Sequence, residues 1–186
     1  PISNPILNSS MNVWQRGTSI SLSASTTWAN AYTTDRWNLV TGASQACTVA
    51  RQATNDTTNL PNIQYCARVQ RNSGQTGTGA LNFVQAFESI NSIRFAGQSV
   101  TLSFYARAGS NYSATSSALS ANLVTGTGTD QQPASYTGSA TPVSGTATLT
   151  TTWQRFSYSG TIASTATELY IQFGFTPTGK IGRAHV

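Results

Sequence analysis

Between residues 100 and 107 the chain alternates without a break, with Val100, Leu102, Phe104 and Ala106 on one side and Thr101, Ser103, Tyr105 and Arg107 on the other. A period of two places these sets on opposite faces of an extended strand, so the segment is predicted to bury one face and wet the other. Leu169, Ile171, Phe173 and Phe175 alternate in the same way with Tyr170, Gln172 and Gly174. Weaker alternation runs through 33–40, 45–51, 63–70, 80–87, 118–125 and 153–161, with turn clusters such as Asn72-Ser73-Gly74 and Gly126-Thr127-Gly128 between. Only 88–95 has helical promise, and its length allows a turn or a single helical turn before Ala96-Gly97. Eight or more such strands predict an all-β fold, an antiparallel β-sandwich of jelly-roll type, forming one domain over residues 1–179. Residues 110–152 are rich in Ser, Thr, Gly and Ala and read as one or two modest strands joined by long polar loops. They are not a separate domain, because Leu119, Leu123 and Val124 alone do not make a core.

Composition excludes the competing classes. Charged residues make up 8% of the 186, aromatic residues 10%, and Ser plus Thr roughly a quarter. Four Trp, seven Tyr and seven Phe are too many for a disordered chain. No run approaches the ~20 apolar residues of a membrane-spanning helix, and no basic-then-apolar signal opens the chain. Cys47 and Cys66 show no metal-ligand spacing. A disulfide would require them to face each other across a hairpin, whereas Cys66 alternates with Gln64 and Arg68 and Cys47 shares its face with Val49, which favours two packed thiols.

The formal net charge of +5 raises the question of nucleic acid. Its distribution answers against it, because the nine Arg are scattered singly, as on a solvated or ring-stacked surface. The only Lys, Lys180, and the only His, His185, both fall in the last seven residues, Lys180-Ile181-Gly182-Arg183-Ala184-His185-Val186. The codons AAG ATC GGA AGA GCA CAC GTC, followed by TGA, spell that tail and also a short-read sequencing adapter. Residues 180–186 are therefore expected to be an adapter artefact; the alternative is a genuine basic C-terminus. Pro1 opens the chain without Met, so the sequence reads as an environmental fragment cut at both ends. Without Lys180 and Arg183 the balance is eight minus five, or +3. Phe175-Thr176-Pro177-Thr178-Gly179 then leads toward a strand the chain does not contain, and the sandwich is expected to lack its C-terminal strand.

Catalytic chemistry has few candidates: Asp35, Asp56, Glu88, Asp130, Glu168, the two Cys and His185. Nothing in the sequence pairs the acids as glycoside hydrolysis requires, and no His outside the tail serves as a base, so no catalytic residue and no metal site is assigned. A structural Ca²⁺ on Asp and backbone carbonyls stays compatible with the inventory; no other cofactor is implied. The informative residues are aromatic. Sugars present apolar C–H faces and hydroxyl edges, which flat rings, amides and hydroxyls complement. Candidate ligand-binding residues are Trp28 and Tyr32 in the first loop, Tyr105 and Tyr170 on outward strand faces, and Tyr112 and Tyr136 in the polar loops. Trp14, Trp37 and Trp153 are expected as core or sheet-edge rings. Trp-Gln-Arg occurs at Trp14 and Trp153, with flanks that do not match.

Asn4-Pro5, Trp14-Gln15-Arg16-Gly17-Thr18 and Tyr32-Thr33-Thr34-Asp35-Arg36-Trp37 resemble the opening of a family of bacteriophage structural proteins, tail-fibre-like or other virion-surface components. The resemblance continues through residues 97–107, 152–155 and 169–174, where the strands are also similar to carbohydrate-binding modules with the galactose-binding-like fold. It implies a non-enzymatic module of the virion, an extracellular particle, that attaches to a host-surface glycan or packs with other virion proteins, with a homo-oligomer compatible. Nucleic acid and a membrane span stay excluded on the scattered Arg and the absence of a long apolar run. Trp14, Arg16, Asp35, Arg36 and Trp37 carry over as structural signature positions, with Arg16 and Arg36 expected to stack on rings or to pair with Asp35. Two other classes fit the same residues: a carbohydrate-binding module of a secreted glycoside hydrolase, and a purely structural fibre or decoration protein.

Overall fold

The computed structural model describes residues 4–25, 29–42, 45–178 and 183–185. Its strands are β1 (Ser19–Leu22), β2 (Ala29–Tyr32), β3 (Asn38–Thr41), β4 (Cys47–Ala53), β5 (Tyr65–Arg71), β6 (Leu81–Phe87), β7 (Ser99–Ala108), β8 (Ala118–Gly126), β9 (Ala140–Thr148), β10 (Gln154–Thr161), β11 (Glu168–Phe175) and β12 (Arg183–His185). One sheet has the order β1-β4-β5-β12-β7-β10, the other β2-β3-β6-β11-β8-β9, and every pairing between strands is antiparallel. Sheets that interleave distant strands in this way make a jelly-roll β-sandwich.

Alternation explains the two layers. Leu102 and Ala106 of β7 and Leu169, Ile171 and Phe173 of β11 are buried in one core, while Thr101 and Ser103 line β7's other face. Residues 88–95 form the single turn of helix expected, Ser89–Ser92, continued by a 3₁₀ turn at Ile93–Phe95. The segment 110–152 contributes more than modest strands. β8 and β9 are nine residues each, and Leu119, Leu123, Val143, Ala147 and Leu149 all enter the core. Small residues suffice there because β9 lies at the sheet's edge against β8, and its outward side chains are hydroxyls that need no burial.

Three residues of the tail lie where a last strand is expected. Arg183–His185 pairs with Gln70, Val69 and Arg68 of β5, and Ala184 and His185 pair with Ala108 and Arg107 of β7. The cause is physical: two facing edges offer backbone donors and acceptors that extended chain satisfies whatever its sequence. Among the described residues, 65–67 of β5 and 99–106 of β7 have strand partners on one side alone, β4 and β10.

Cys47 and Cys66 are both buried free thiols, Cys47 in the core beside Val49 and Cys66 on the opposite face of its sheet. Burial pushes Cys47 up to about 12 and Cys66 up to about 11. The folded protein therefore holds protons that the unfolded chain releases above its ordinary thiol value of 9.0. Stability is expected to be intact below pH 9.0 and to fall as pH rises from there toward 12. At pH 8, iodoacetamide should label both thiols at least tenfold more slowly in the native protein than in urea. Rapid labelling of either under native conditions would contradict its burial.

Candidate functional site

The signature residues form a latch. Asn8 donates its side-chain N–H to the Val13 carbonyl (2.9 Å), to Thr34 Oγ1 (2.7 Å) and to the Asp35 carbonyl (3.2 Å), while its Oδ1 accepts from Val13 N (3.0 Å). Trp14 Nε1 donates to the Met11 carbonyl, and Asp35 Oδ1 accepts from Gln15 N (3.1 Å). Trp37 lies in the core, as expected, stacked on Phe83 at 4.6 Å with 8° between planes. Arg16 stacks on Tyr32 (5.3 Å), also as expected. Arg36 does not pair with Asp35: it reaches Glu88 at 2.7 Å, because its backbone sits at φ 71° in a turn that directs the adjacent side chains apart. Asp35→Ala is expected to cost about 1 kcal/mol in a urea melt, through the lost Gln15 bond, with glycan affinity unchanged. Unchanged stability with lost binding would make Asp35 a ligand contact instead.

The candidate rings separate into three environments, and Trp28 lies outside the described residues. Tyr112 lies in the loop after β7, as expected, but is turned inward, packing on Phe175 at 5.1 Å and donating its hydroxyl to the Ala118 carbonyl at 2.7 Å. Burial raises its hydroxyl above the usual tyrosine range. Tyr105 is on the outer face of the first sheet, half-buried with Ile63 against Leu60, Cys66 and Trp153. Tyr32, Tyr136 and Tyr170 belong to the outer face of the second sheet. Tyr136 is buried, its ring seated on Gly126, where a Cβ would meet it at 2.9 Å, and its edge meets Tyr170 at 5.3 Å. Burial, then the nearby Glu168 carboxylate, raises the Tyr136 hydroxyl; burial raises that of Tyr170. Both remain neutral donors and acceptors at physiological pH.

Register places an amide row beside these rings. Tyr32 pairs with Asn38, Asn38 with Val84, Val84 with Gln172, Gln172 with Asn122 and Asn122 with Ser144, which crosses all six strands. Two residues along each strand, Asn30, Val40, Asn82, Gly174, Ser120 and Thr146 form a parallel row. Val84 and Val124 point outward yet are only 6% and 7% exposed, so the floor is recessed beneath longer neighbours. Asn122 Oδ1 accepts from Ser144 Oγ (2.9 Å), and Ser120 Oγ donates to the Gly174 carbonyl (2.9 Å). Asn38 Oδ1 is buried with no partner, and the side chains of Gln172 and Tyr170 make no hydrogen bond to a described residue. Asn38 Oδ1 is thus enclosed by the chain, while Gln172 and Tyr170 are partly exposed on the outer face. Asn38, Asn122 and Gln172 were not singled out from the sequence; the available signal was their outward parity combined with the amide side chain.

Each carboxylate has a structural task. Asp56 accepts from Asn59 Nδ2 (2.7 Å), Asn59 N and Thr58 N, and these bonds, the Asn59 side chain's foremost, hold it below the usual carboxylate range. Asp130 accepts from Ser89 N. Glu168, 1% exposed, accepts from Gly128 N (3.1 Å) and Gln131 N, and Gln131 Oε1 accepts from Thr137 N (2.8 Å), which orders the loop that carries Tyr136. Among the described residues no three of His, Cys, Asp and Glu come together as metal ligands. Four Arg lie over rings: Arg16, Arg51, Arg94 and Arg107. No described helix is long and apolar enough to cross a membrane.

No protein-family model matches the chain, and no curated protein is similar to it. Among solved structures it is similar to the enzymatically active domain of bacteriophage CBA120 tailspike protein 4, at 19% identity and TM-score 0.52, over 81% of this chain and 18% of that one. It is also similar to a family 61 carbohydrate-binding module in complex with β-1,4-galactotriose (9% identity, TM-score 0.48, 99% of this chain and 94% of that one). A family 4 carbohydrate-binding module aligns at 18% identity and TM-score 0.43 over 64% of this chain and 66% of that one. The chain therefore spans under two thirds of the family 4 module and about a fifth of the tailspike chain. At 19% identity the tailspike likeness is one of fold alone, a jelly-roll β-sandwich.

Proposed function

We propose that the chain is a non-enzymatic module that binds glycan on the outer face of its second sheet, as a tail-fibre-like component of a virion directed at a host-surface glycan. The observation that carries this reading is the outward row Asn38–Gln172–Asn122, in which the partly exposed Gln172 amide has no partner among the described residues, lying beside the Tyr170–Tyr136 pair. Amides match pairs of sugar hydroxyls, and a half-exposed ring covers an apolar sugar face. Binding without hydrolysis fits carboxylates that are all engaged in holding turns, loops and an exposed ion pair. The virion assignment draws on the motif resemblance and on the tailspike's fold. A module of a secreted glycoside hydrolase would use the same face, and it differs in parent protein and assembly.

A glycan array probed with the full chain, with its oligomeric state measured by light scattering, tests the proposal. Saturable binding to a defined glycan is expected, and an oligomer accords with a fibre component. A monomer binding soluble plant-type glycans favours the hydrolase module. An oligomer with no glycan signal would replace both readings with a purely structural one.

A further inference from the structure

Four strands stand at sheet edges, β1 and β10 in the first sheet and β2 and β9 in the second. An exposed edge is a template for pairing with another chain, and proteins block it with short strands, prolines, bulges or charges. Three of the four edges carry such a device. β1 and β2 are four residues each, and β9 contains Pro142, where its register against β8 shifts between Leu123 and Thr125. β10 runs unbroken for eight residues, Gln154–Thr161, with no proline and one charge, Arg155. Among the described residues its strand partner is β7 alone, and β7 stands between this edge and β12.

Register shows which backbone groups of β10 are free. Ile162 N donates to the Gln98 carbonyl, in continuation of the pairing of Thr161 with Ser99. Successive backbone groups of a strand point to opposite sides, so those of Phe156, Tyr158 and Gly160 also turn toward β7, and those of Arg155, Ser157 and Ser159 turn away. The same edge leaves two rings unfinished. Phe156 and Tyr158 reach the core through Phe104, at 5.6 Å and 6.3 Å, yet both are only half-buried.

We propose that this edge pairs with its own counterpart in a second copy of the chain, β10 against β10, antiparallel about a two-fold axis at Ser157. That register engages the free groups of Arg155, Ser157 and Ser159. It sets Phe156 opposite Tyr158 of the other copy, twice, at positions without mutual hydrogen bonds, where cross-strand side chains approach most closely. Arg155 meets Ser159, so the two cations sit at opposite ends of the interface. A parallel pairing in register would oppose the two Arg155, and centring the antiparallel pair on Tyr158 would face Phe156 with Gly160 and lose both aromatic pairs. The strand is therefore complementary to itself, which is the requirement of an isologous dimer. Inward side chains stay on one side of the joined sheet, so the second sheets of both copies lie on that side with their outer faces directed alike. On the glycan reading above, the dimer presents two binding faces to one surface, which raises avidity without a new contact.

Sedimentation of the full chain from micromolar to millimolar concentration tests the dimer without any glycan, so its failure leaves the glycan reading standing. A reversible monomer–dimer equilibrium is expected, with amide exchange in 154–161 slowing as the dimer forms. Ser157→Pro removes a donor that points away from β7, and Ser157→Arg opposes two guanidinium groups at the axis; each should weaken the dimer at least about tenfold. Ser157→Arg alters only an exposed side chain, so its melting temperature separates dimer loss from misfolding. Ser157→Thr should dimerise as the parent does. A monomer at every concentration, an assembly that both disruptive variants leave intact, or slowed exchange confined to other strands would each overturn the proposal.

Discussion

Trp37→Ala is expected to cost about 3–5 kcal/mol, enough to remove much of the 5–15 kcal/mol by which domains of this kind are stable. Trp37 is 1% exposed and stacks between Phe83 of β6 and Phe173 of β11, the second at 6.1 Å. Its truncation leaves a cavity between central strands of the second sheet, where the ladder gives the surroundings little freedom to collapse. The indole Nε1 also donates to the Leu7 carbonyl (3.2 Å), which accepts a further bond from Gln85 Nε2 (2.8 Å) while Gln85 Oε1 holds Leu7 N (2.8 Å). The N-terminal segment is thereby tied to the core, and its detachment should accompany the loss. A urea melt and a thermal melt measure this, with a fall in Tm on the order of 10 °C expected. Trp37→Phe keeps the stacking and should recover part of it. A shift below about 2 °C would remove Trp37 from the centre of this account.

The second large effect is expected at Glu168, a structural carboxylate that orders the loop beside the proposed binding face. Glu168→Ala leaves Gly128 N and Gln131 N without their acceptor, at about 2–4 kcal/mol for bonds to a buried charge. Gln131 in turn positions Thr137 through both its oxygen and its amide, and Tyr136 lies in that loop over Gly126. Hydrogen exchange across 127–138 should accelerate, and glycan affinity should fall severalfold because Tyr170 loses the ring packed at its edge. Glu168→Gln retains one acceptor and should be intermediate. Lost stability with undiminished affinity would show that Tyr136 does not shape the face.

How much of this was legible in the sequence depends on where each signal resides. β7 and β11 alternate large apolar and polar residues, and both were readable to within a residue at each end. β9 carries only Val143 and Ala147 as firmly buried apolar residues among Ser, Thr, Gly and Pro, so its period is nearly silent until β8 pairs with it. β1 is four residues with one buried, below the length at which alternation is a signal. Arg36 sits next to Asp35 in sequence, and the turn sends it to Glu88, 52 positions away. Tyr112 and Tyr136 lie in polar stretches whose composition implies exposure, yet each covers a gap, Tyr112 against Phe175 and Tyr136 over Gly126. The amide row needs the registers of six strands at once, which no single segment encodes. Tyr170 was identifiable by parity alone, whereas Tyr32, expected in the first loop, ends β2; Asn38, Asn122 and Gln172 were open to the parity argument once amides were weighed with rings. The tail shows the opposite case: its composition led to the expectation of an artefact, while backbone pairing, which is indifferent to composition, places Arg183–His185 between β5 and β7.

The central claim is that the glycan meets the outer face of the second sheet, and two tyrosines on opposite sheets test it most directly. Tyr170→Ala and Tyr105→Ala are to be titrated with the best glycan from the array, and their melting temperatures compared. Tyr170→Ala should lose at least about tenfold in affinity with a melting temperature within a few degrees of the parent, and Tyr105→Ala should bind as the parent does. Loss of affinity in Tyr105→Ala with full binding in Tyr170→Ala would contradict the account and move the site to the other sheet.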